Sequence, residues 1–309
     1  AGFYESFYDF LPNTIPPTPA LLLKPEISEQ NYMQSVKKIK RRIYEGETYQ
    51  VNFTFRAHGE AVEKPEDLFS YLFVSHPMPY SAFINTGSHI ICSNSPELFL
   101  EKNGNILISR PMKGTARRAP SSEEDIYLAK QLSLSTKNRA ENLMITDMVR
   151  NDLGKVCKHG TVKTPELFKV ETYLTLHQMV SEIRGIIKEK ISLFNILKAT
   201  FPPASITGTP KVKTMEIIAQ HEQSPRKVYT GAIGVVTPNG DLRFNVAIRT
   251  LICSSGKAEL GIGSGIVADS DPAEEWKESI LKSNFLNYRT PEFDVFDTIL
   301  WERGLGFLY

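Results

Sequence analysis

Between Ser28 and Gly46 apolar side chains recur at Tyr32, Val36, Ile39 and Ile43, with lysines and arginines filling the positions between them. This spacing puts the four on one helical face, with Ser28 to Gln30 as capping residues and Gly46 as the stop. After Gly46 the period changes. The runs TYQVNFTFRA, YSAFINTG, HIICSN and ELFLEKNGNILISR are short, rich in β-branched and aromatic residues, and punctuated by Gly, Asn or Pro, which predicts several antiparallel strands. A helical block is predicted from about Ser122 to Leu153, stopping at Asn151-Asp152-Leu153-Gly154, and a second helix, Lys211 to Gln223, just after Pro210. Strands return between and after them. VYTGAIGVVTPNGDLRFNVAIRTLI sets an Asn239-Gly240 pair between two alternating runs, a hairpin signal, and AELGIGSGIVADS reads as a Gly-rich strand before a final helix from roughly Pro272 to Phe285.

Antiparallel strands with inserted helices, and no strand-helix-strand alternation, define an α+β fold rather than a doubly wound sheet. One domain over residues 1–290 accounts for the pattern. Its first 27 residues form an extended lead-in, because the five prolines in LPNTIPPTPALLLKPEI exclude a continuous helix.

Composition narrows the function classes. With 309 residues, 41% hydrophobic and 23% charged, the chain is of ordinary globular type, and its net charge of +1 offers no attraction for nucleic acid or an anionic membrane. Cys92, Cys157 and Cys253 are too few and too far apart for a disulfide framework or zinc cluster, which suits a reducing cytoplasm. No apolar run reaches the roughly 18 residues that cross a bilayer, and AGFYESFYDF is too acidic and aromatic for a signal peptide. A soluble, unexported protein is expected.

Three groups of residues could carry chemistry. Glu275 and Glu278 share a helical face with Lys282, and Glu141 stands in another helix; carboxylates converging from two helices make a hard oxygen site suited to Mg²⁺. On spacing alone they read instead as a surface ion pair and a solvated acid, common decoration of helices. Glu97 lies near a strand start and Lys113 between Pro111 and Gly114, where a desolvated lysine could be a nucleophile and a carboxyl of raised pKa a proton donor, unless the turn is simply exposed. Gly263 and Gly265 would let backbone N–H groups approach an anion, and Arg249 could clamp a carboxylate, although glycine in a strand often marks a bulge instead. GIGSG precedes no helix and is not a dinucleotide fingerprint. His177 reads on its own as a satisfied core histidine.

The order of motifs goes further. YEGETYQVNFT, SNSPELFL, SRPMKGTARR, KNRAENLMITDMVRNDLG, FPPASITGTPK, YTGAIG, NVAIRTL and GIGSGIVADSDPAEEWKESILK run across residues 30–288 in an order that resembles the chorismate-utilising enzymes, namely the anthranilate, aminodeoxychorismate, isochorismate and salicylate synthases. The resemblance implies a two-sheet antiparallel sandwich with helices packed outside, and chorismate as substrate. It implies that Glu141 and Glu278 bind Mg²⁺ directly and that Glu275 holds a metal-bound water. Arg249, Tyr229, Lys282, Gly263, Gly265, Gly114, Thr115 and His177 match positions around the substrate carboxylates, and Glu97 matches the acid that helps the 4-hydroxyl leave. Gln50 stands where the water-activating branches carry a lysine base, which favours ammonia as nucleophile. Lys113 stands where the branch that aminates C4 has a lysine, thought to add at ring C2, and where anthranilate synthases have alanine.

The resemblance therefore implies C4 amination in para-aminobenzoate and folate biosynthesis, with ammonia from a glutamine amidotransferase partner. Anthranilate synthase is the nearest rival, and a noncatalytic chorismate-binding subunit the alternative of another class. Three departures stand out: Pro203-Ala204 replaces the usual Gly-Gly before SITG, Asn138 replaces an acid near the first metal ligand, and the extra N-terminal sheet that carries a tryptophan pocket is largely missing, so no feedback site is expected. Residues 291–309 resemble the opening hairpin of a class IV aminotransferase-like lyase, and equally a plain hairpin.

Overall fold

A computed structural model describes residues 21–286, together with the backbone of 300–302 and 306–308. Residues 1–20 of the lead-in lie outside the described residues, as does most of the segment beyond 286. A short strand β1 (Lys24–Pro25) leads into α1 (Glu29–Tyr44), where the Ser28 hydroxyl accepts the Asn31 N–H at 3.3 Å as a helix cap. Tyr32, Val36 and Ile39 are buried as their spacing predicts.

The chain continues through β2 (Gln50–Glu60), α2 (Pro65–Ser75), β3 (Tyr80–Asn85), β4 (Ile90–Ser95), β5 (Leu98–Asn103), β6 (Ile106–Arg110) and β7 (Met112–Arg117). The periodicity of α2 conceals it: Leu68, Phe69, Tyr71 and Leu72 are all buried, so no single stripe marks one inward face. The predicted helical block is two helices, α3 (Ser122–Leu134) and α4 (Thr136–Val156). They part at Ser135, whose hydroxyl caps α4 by accepting the Asn138 N–H. Nor does α4 stop at Gly154. Glycine within a helix costs about 1 kcal/mol, and burial of Leu153 and Val156 outweighs it.

Then come β8 (Lys163–Thr172), β9 (Leu176–Ile186), α5 (Leu193–Thr200), a 3₁₀ turn over Ala204–Ile206, β10 (Gly208–Thr209) and α6 (Lys211–His221). The Asn239-Gly240 turn joins β11 (Ala232–Val236) to β12 (Leu242–Val246), and β13 (Thr250–Ser254), β14 (Lys257–Ile266) and α7 (Pro272–Ser283) follow. A terminal hairpin pairs β15 (Leu300–Glu302) with β16 (Gly306–Leu308).

Two seven-stranded antiparallel sheets result. The first runs β1-β2-β14-β13-β4-β3 with β10 also on β2, and the second runs β11-β12-β5-β6-β9-β7 with β8 also on β9. The helices lie outside. One hydrophobic cluster joins the first sheet to α1 and α2 through Val51, Phe53, Phe55, Tyr32 and Leu72, and the other joins the second sheet to α4 through Leu100, Leu107, Ile145 and Leu153. The residues of β2 that alternate with its apolar set, Gln50, Thr54 and Arg56, are almost wholly buried too, on the opposite face. The first sheet thus gives its oily side to helices and keeps a polar side for chemistry.

Candidate active site

On that polar side β14 presents Gly261, Gly263 and Gly265, in register with Arg56, Thr54 and Asn52 of β2. None has room for a side chain. A Cβ at Gly261 would meet the Tyr229 ring at 2.0 Å, one at Gly263 would meet the Phe53 carbonyl at 2.5 Å, and one at Gly265 would lie 2.4 Å from Gln50 Nε2 and 3.1 Å from Lys113 Nζ. Gly265 is therefore where the first sheet's Gln50 meets the second sheet's Lys113. Gln50 is 1% exposed, and among the described residues neither its Nε2 nor its Oε1 has a hydrogen-bond partner. An amide buried without partners carries a penalty of roughly 1–3 kcal/mol unless something polar joins it.

Lys113 reaches this point through an irregularity in β7. Pairing with β9 shifts register between Met112 and Thr115, and Gly114 takes φ +95°. Asn138 closes over Gly114, where a Cβ would lie 3.0 Å from its own. Burial pulls the Lys113 ammonium below its ordinary range; Glu141 opposes this, and Lys282 reinforces it. Glu97, just before β5, is 4% exposed. Burial raises its carboxyl to about 7, against the opposing pull of a hydrogen bond with Ser205, the charge of Lys113 and the Met112 backbone. A proton donor for near-neutral pH thus shares a buried space with a lysine shifted toward its free amine.

The helices contribute a second, more exposed set. Glu141 of α4 is half-buried, and desolvation raises its carboxyl, with Glu275 and Glu278 of α7 adding like-charge repulsion while Lys113 and Lys137 offset it. Glu278 is bound to Lys282 at 2.7 Å, their side chains 57% and 48% exposed. Burial would raise Glu278, but this pair, helped by Lys113 and Lys137, holds it below its usual range. Lys282 also donates to the Gly263 carbonyl at 3.3 Å, and Ser270 donates to Glu275 at 2.6 Å. Among the described residues no three His, Cys, Asp or Glu side chains are gathered closely enough to hold a metal ion.

The remaining predicted residues keep their own contacts. Thr115 is exposed and donates to Gln178, which donates in turn to the Gly114 carbonyl at 2.8 Å. His177 is 1% exposed, with Thr172 at 2.9 Å from Nδ1 and Asp125 at 2.9 Å from Nε2, so both ring nitrogens are engaged. Tyr229 lies against Gly261 beneath the Arg56 guanidinium, and burial lifts its phenol to about 12. Arg249 is half-buried at φ +48°, where the chain crosses from β12 to β13. It reaches Met78 Sδ at 3.9 Å, and among the described residues no carboxylate pairs with it.

Ser205, Lys137 and Gln178 belong to this neighbourhood without having been singled out by sequence. Ser205 stands inside the quoted SITG motif, and Lys137 is one turn before Glu141. Those are the signals that could have found them. Nothing local marks Gln178.

A family model described as chorismate binding enzyme matches residues 11–288. The chloroplastic aminodeoxychorismate synthase of Arabidopsis thaliana is 43% identical over 266 residues, covering 84% of this chain and 29% of that protein. Aminodeoxychorismate synthase component 1 of Bacillus subtilis (strain 168) is 40% identical over 256 residues, covering 83% of this chain and 54% of that one. The chain therefore spans about half the length of these relatives or less. Among solved structures, anthranilate synthase component I from Streptococcus pneumoniae TIGR4 superposes with a TM-score of 0.81 at 30% identity, covering 88% of this chain and 60% of that chain.

Proposed function

The chain belongs to the chorismate-binding enzymes, and from that membership we propose that it converts chorismate and ammonia to 4-amino-4-deoxychorismate, as component I of an aminodeoxychorismate synthase. The observation that carries this reading is the approach of Lys113 to Gln50 at Gly265, with buried Glu97 near enough to act on the charge of the lysine and both groups shifted toward their uncharged forms. The identity to relatives bearing that name supports it.

The chemistry assigned to these residues conserves atoms and charge. Glu97 gives its proton to the 4-hydroxyl, which departs as water while the neutral amine of Lys113 bonds to ring C2. Ammonia then bonds to C4 and expels Lys113, and the ammonium it becomes loses one proton, which restores Glu97. Chorismate plus ammonia thus yields aminodeoxychorismate plus water. Gln50 has no basic atom with which to activate water, whereas ammonia attacks as its own free base.

Glu275 and Glu278 raise the Glu141 carboxyl by like-charge repulsion; among the described residues the three are not gathered as a finished cation site, but a hard divalent cation drawn between them would relieve that repulsion. Magnesium held by Glu141 and Glu278, with Glu275 on a bound water, would neutralise the substrate carboxylates. Lys282 would then leave Glu278 for the substrate. The relative named component 1 supports a partner component, for which we take a glutamine amidotransferase as the ammonia source.

A second reading, anthranilate synthesis, is favoured by the Streptococcus pneumoniae structure. Incubation with chorismate, Mg²⁺ and ammonium, with products separated by chromatography and weighed by mass spectrometry, decides between them. Aminodeoxychorismate is expected. Anthranilate with pyruvate would establish the second reading, and no conversion would leave a noncatalytic binding subunit.

A further inference from the structure

Lys113 lies where the β7–β9 ladder shifts register, so its backbone is held by something other than strand pairing. That support comes from Asn142, one residue along α4 from Glu141 and 1% exposed. Its Nδ2 donates to the Lys113 carbonyl at 3.4 Å and to the Met179 carbonyl at 3.3 Å. On the other side its Oδ1 accepts the Ser181 hydroxyl at 2.5 Å and that of Thr146 at 3.4 Å.

These partners dictate which way the amide points. Ser181 Oγ accepts the Phe168 N–H at 3.1 Å, so its own proton is free to go to Asn142. The side facing Ser181 is therefore the carbonyl oxygen, and the side facing two carbonyls is the NH₂. Phe168 itself has φ +60° at a register shift in β8, with the Arg139 guanidinium 4.8 Å over its ring. An irregularity in β8 is thus tied through Ser181 and Asn142 to the irregularity in β7 that carries Lys113. Only a side chain that donates on one edge and accepts on the other completes the connection. A carboxylate would turn an oxygen toward two carbonyls, and an aliphatic group would remove all four hydrogen bonds.

We propose that Asn142 is a positioning residue for Lys113, fixing the lysine backbone relative to the neighbouring carboxylate of Glu141, with Ser181 locking the orientation of its amide. The inference rests on the reading of Lys113 as nucleophile in chorismate amination. A fixed backbone matters because displacement of a reacting group by about 1 Å can cost on the order of 100-fold in rate.

The test uses Asn142→Leu, neutral and close in shape, beside Ser181→Ala, each assayed with chorismate, Mg²⁺ and ammonium. Folding is followed by circular dichroism. Asn142→Leu should lower kcat about 100-fold with KM for chorismate within about threefold of the parent, and Ser181→Ala should lower kcat about tenfold. A folded Asn142→Leu protein whose kcat stays within about threefold of the parent, or whose loss lies in KM, overturns the proposal. Should Asn142→Leu fail to fold, Ser181→Ala decides, and an unchanged kcat there overturns it as well. Acetylation of Lys113, followed by mass spectrometry against exposed Lys37, reads position independently of turnover. A parent protein that makes no aminated product refutes the functional reading alone. A labelling rate of Lys113 unaltered in both variants refutes the positioning.

Discussion

Two glutamate–lysine pairs contribute to the candidate site, and they behave oppositely. Glu97 and Lys113, carried by strands, are enclosed, and desolvation dominates both: the acid rises to about 7 and the lysine falls. Glu278 and Lys282, one helical turn apart on α7, form a direct 2.7 Å bridge at roughly half exposure, and there burial is outweighed by the bridge together with the charges of Lys113 and Lys137, so the acid falls. The residue types are the same. Whether an acid is moved toward its neutral or its charged form depends on whether it meets its partner directly or merely loses its water. Neutral forms suit proton donation and nucleophilic attack, and charged forms suit binding of a cation or a substrate carboxylate.

Lys113→Ala separates the pairs most sharply. If the strand pair does the chemistry, kcat for aminodeoxychorismate should fall on the order of 10⁴-fold while chorismate still binds. Near-parental turnover would end the assignment of Lys113 as nucleophile. Glu278→Ala attacks the other pair: activity should drop about 10³-fold and its stimulation by magnesium should vanish. A variant still stimulated by magnesium at parental concentrations would show that Glu278 is no ligand.

Glu97→Gln is milder, about 10²-fold, because only the proton donor is lost. The pH dependence is more telling. If Glu97 is the proton donor, parent activity should decline as pH rises through about 7, a limb that Glu97→Gln should lack. Stability follows the same direction. The folded state holds this proton to about 7, against 4.5 for the ordinary side chain, so the stabilisation is complete below pH 4.5 and lost as pH rises through 7. Thermal unfolding between pH 5 and 8 checks it, and an identical slope in Glu97→Gln would place the titration elsewhere.

What was legible in the sequence follows the range of the interaction concerned. Ser28 caps α1 and the Asn239-Gly240 turn closes its hairpin through neighbours in the chain, and both stand where local pattern places them. Spacing also put Glu275, Glu278 and Lys282 on one helical face, but their charge effect on Glu141 depends on where the fold sets α7 relative to α4, which no helix encodes alone. Gly265 could be seen as a glycine, yet its purpose needed Gln50 and Lys113 to arrive from two different sheets. Asn142 escaped notice for the same reason. Its partners Lys113, Met179 and Ser181 lie 29 to 39 residues away, and its own segment looks like any polar helix.

The smallest expected effect is the most diagnostic of the helix pair. Both side chains of the Glu278–Lys282 bridge are about half exposed, so the bridge should contribute less than about 0.5 kcal/mol to folding. Lys282→Gln should therefore leave the unfolding midpoint almost unchanged. If Glu278 is a magnesium ligand it should nonetheless alter cation binding, because Lys282 and the ion would compete for the same carboxylate. Without chorismate, freeing Glu278 should lower the magnesium concentration for half-saturation by up to about twofold, the equivalent of a competing interaction of that size. Titration of magnesium by calorimetry measures this directly, before any effect of Lys282 on substrate enters. Unchanged or weaker magnesium binding would mean that Glu278 and Lys282 form an ordinary surface pair. The contrast with Glu97 and Lys113 would then be one of burial alone, with no division of labour between chemistry and charge.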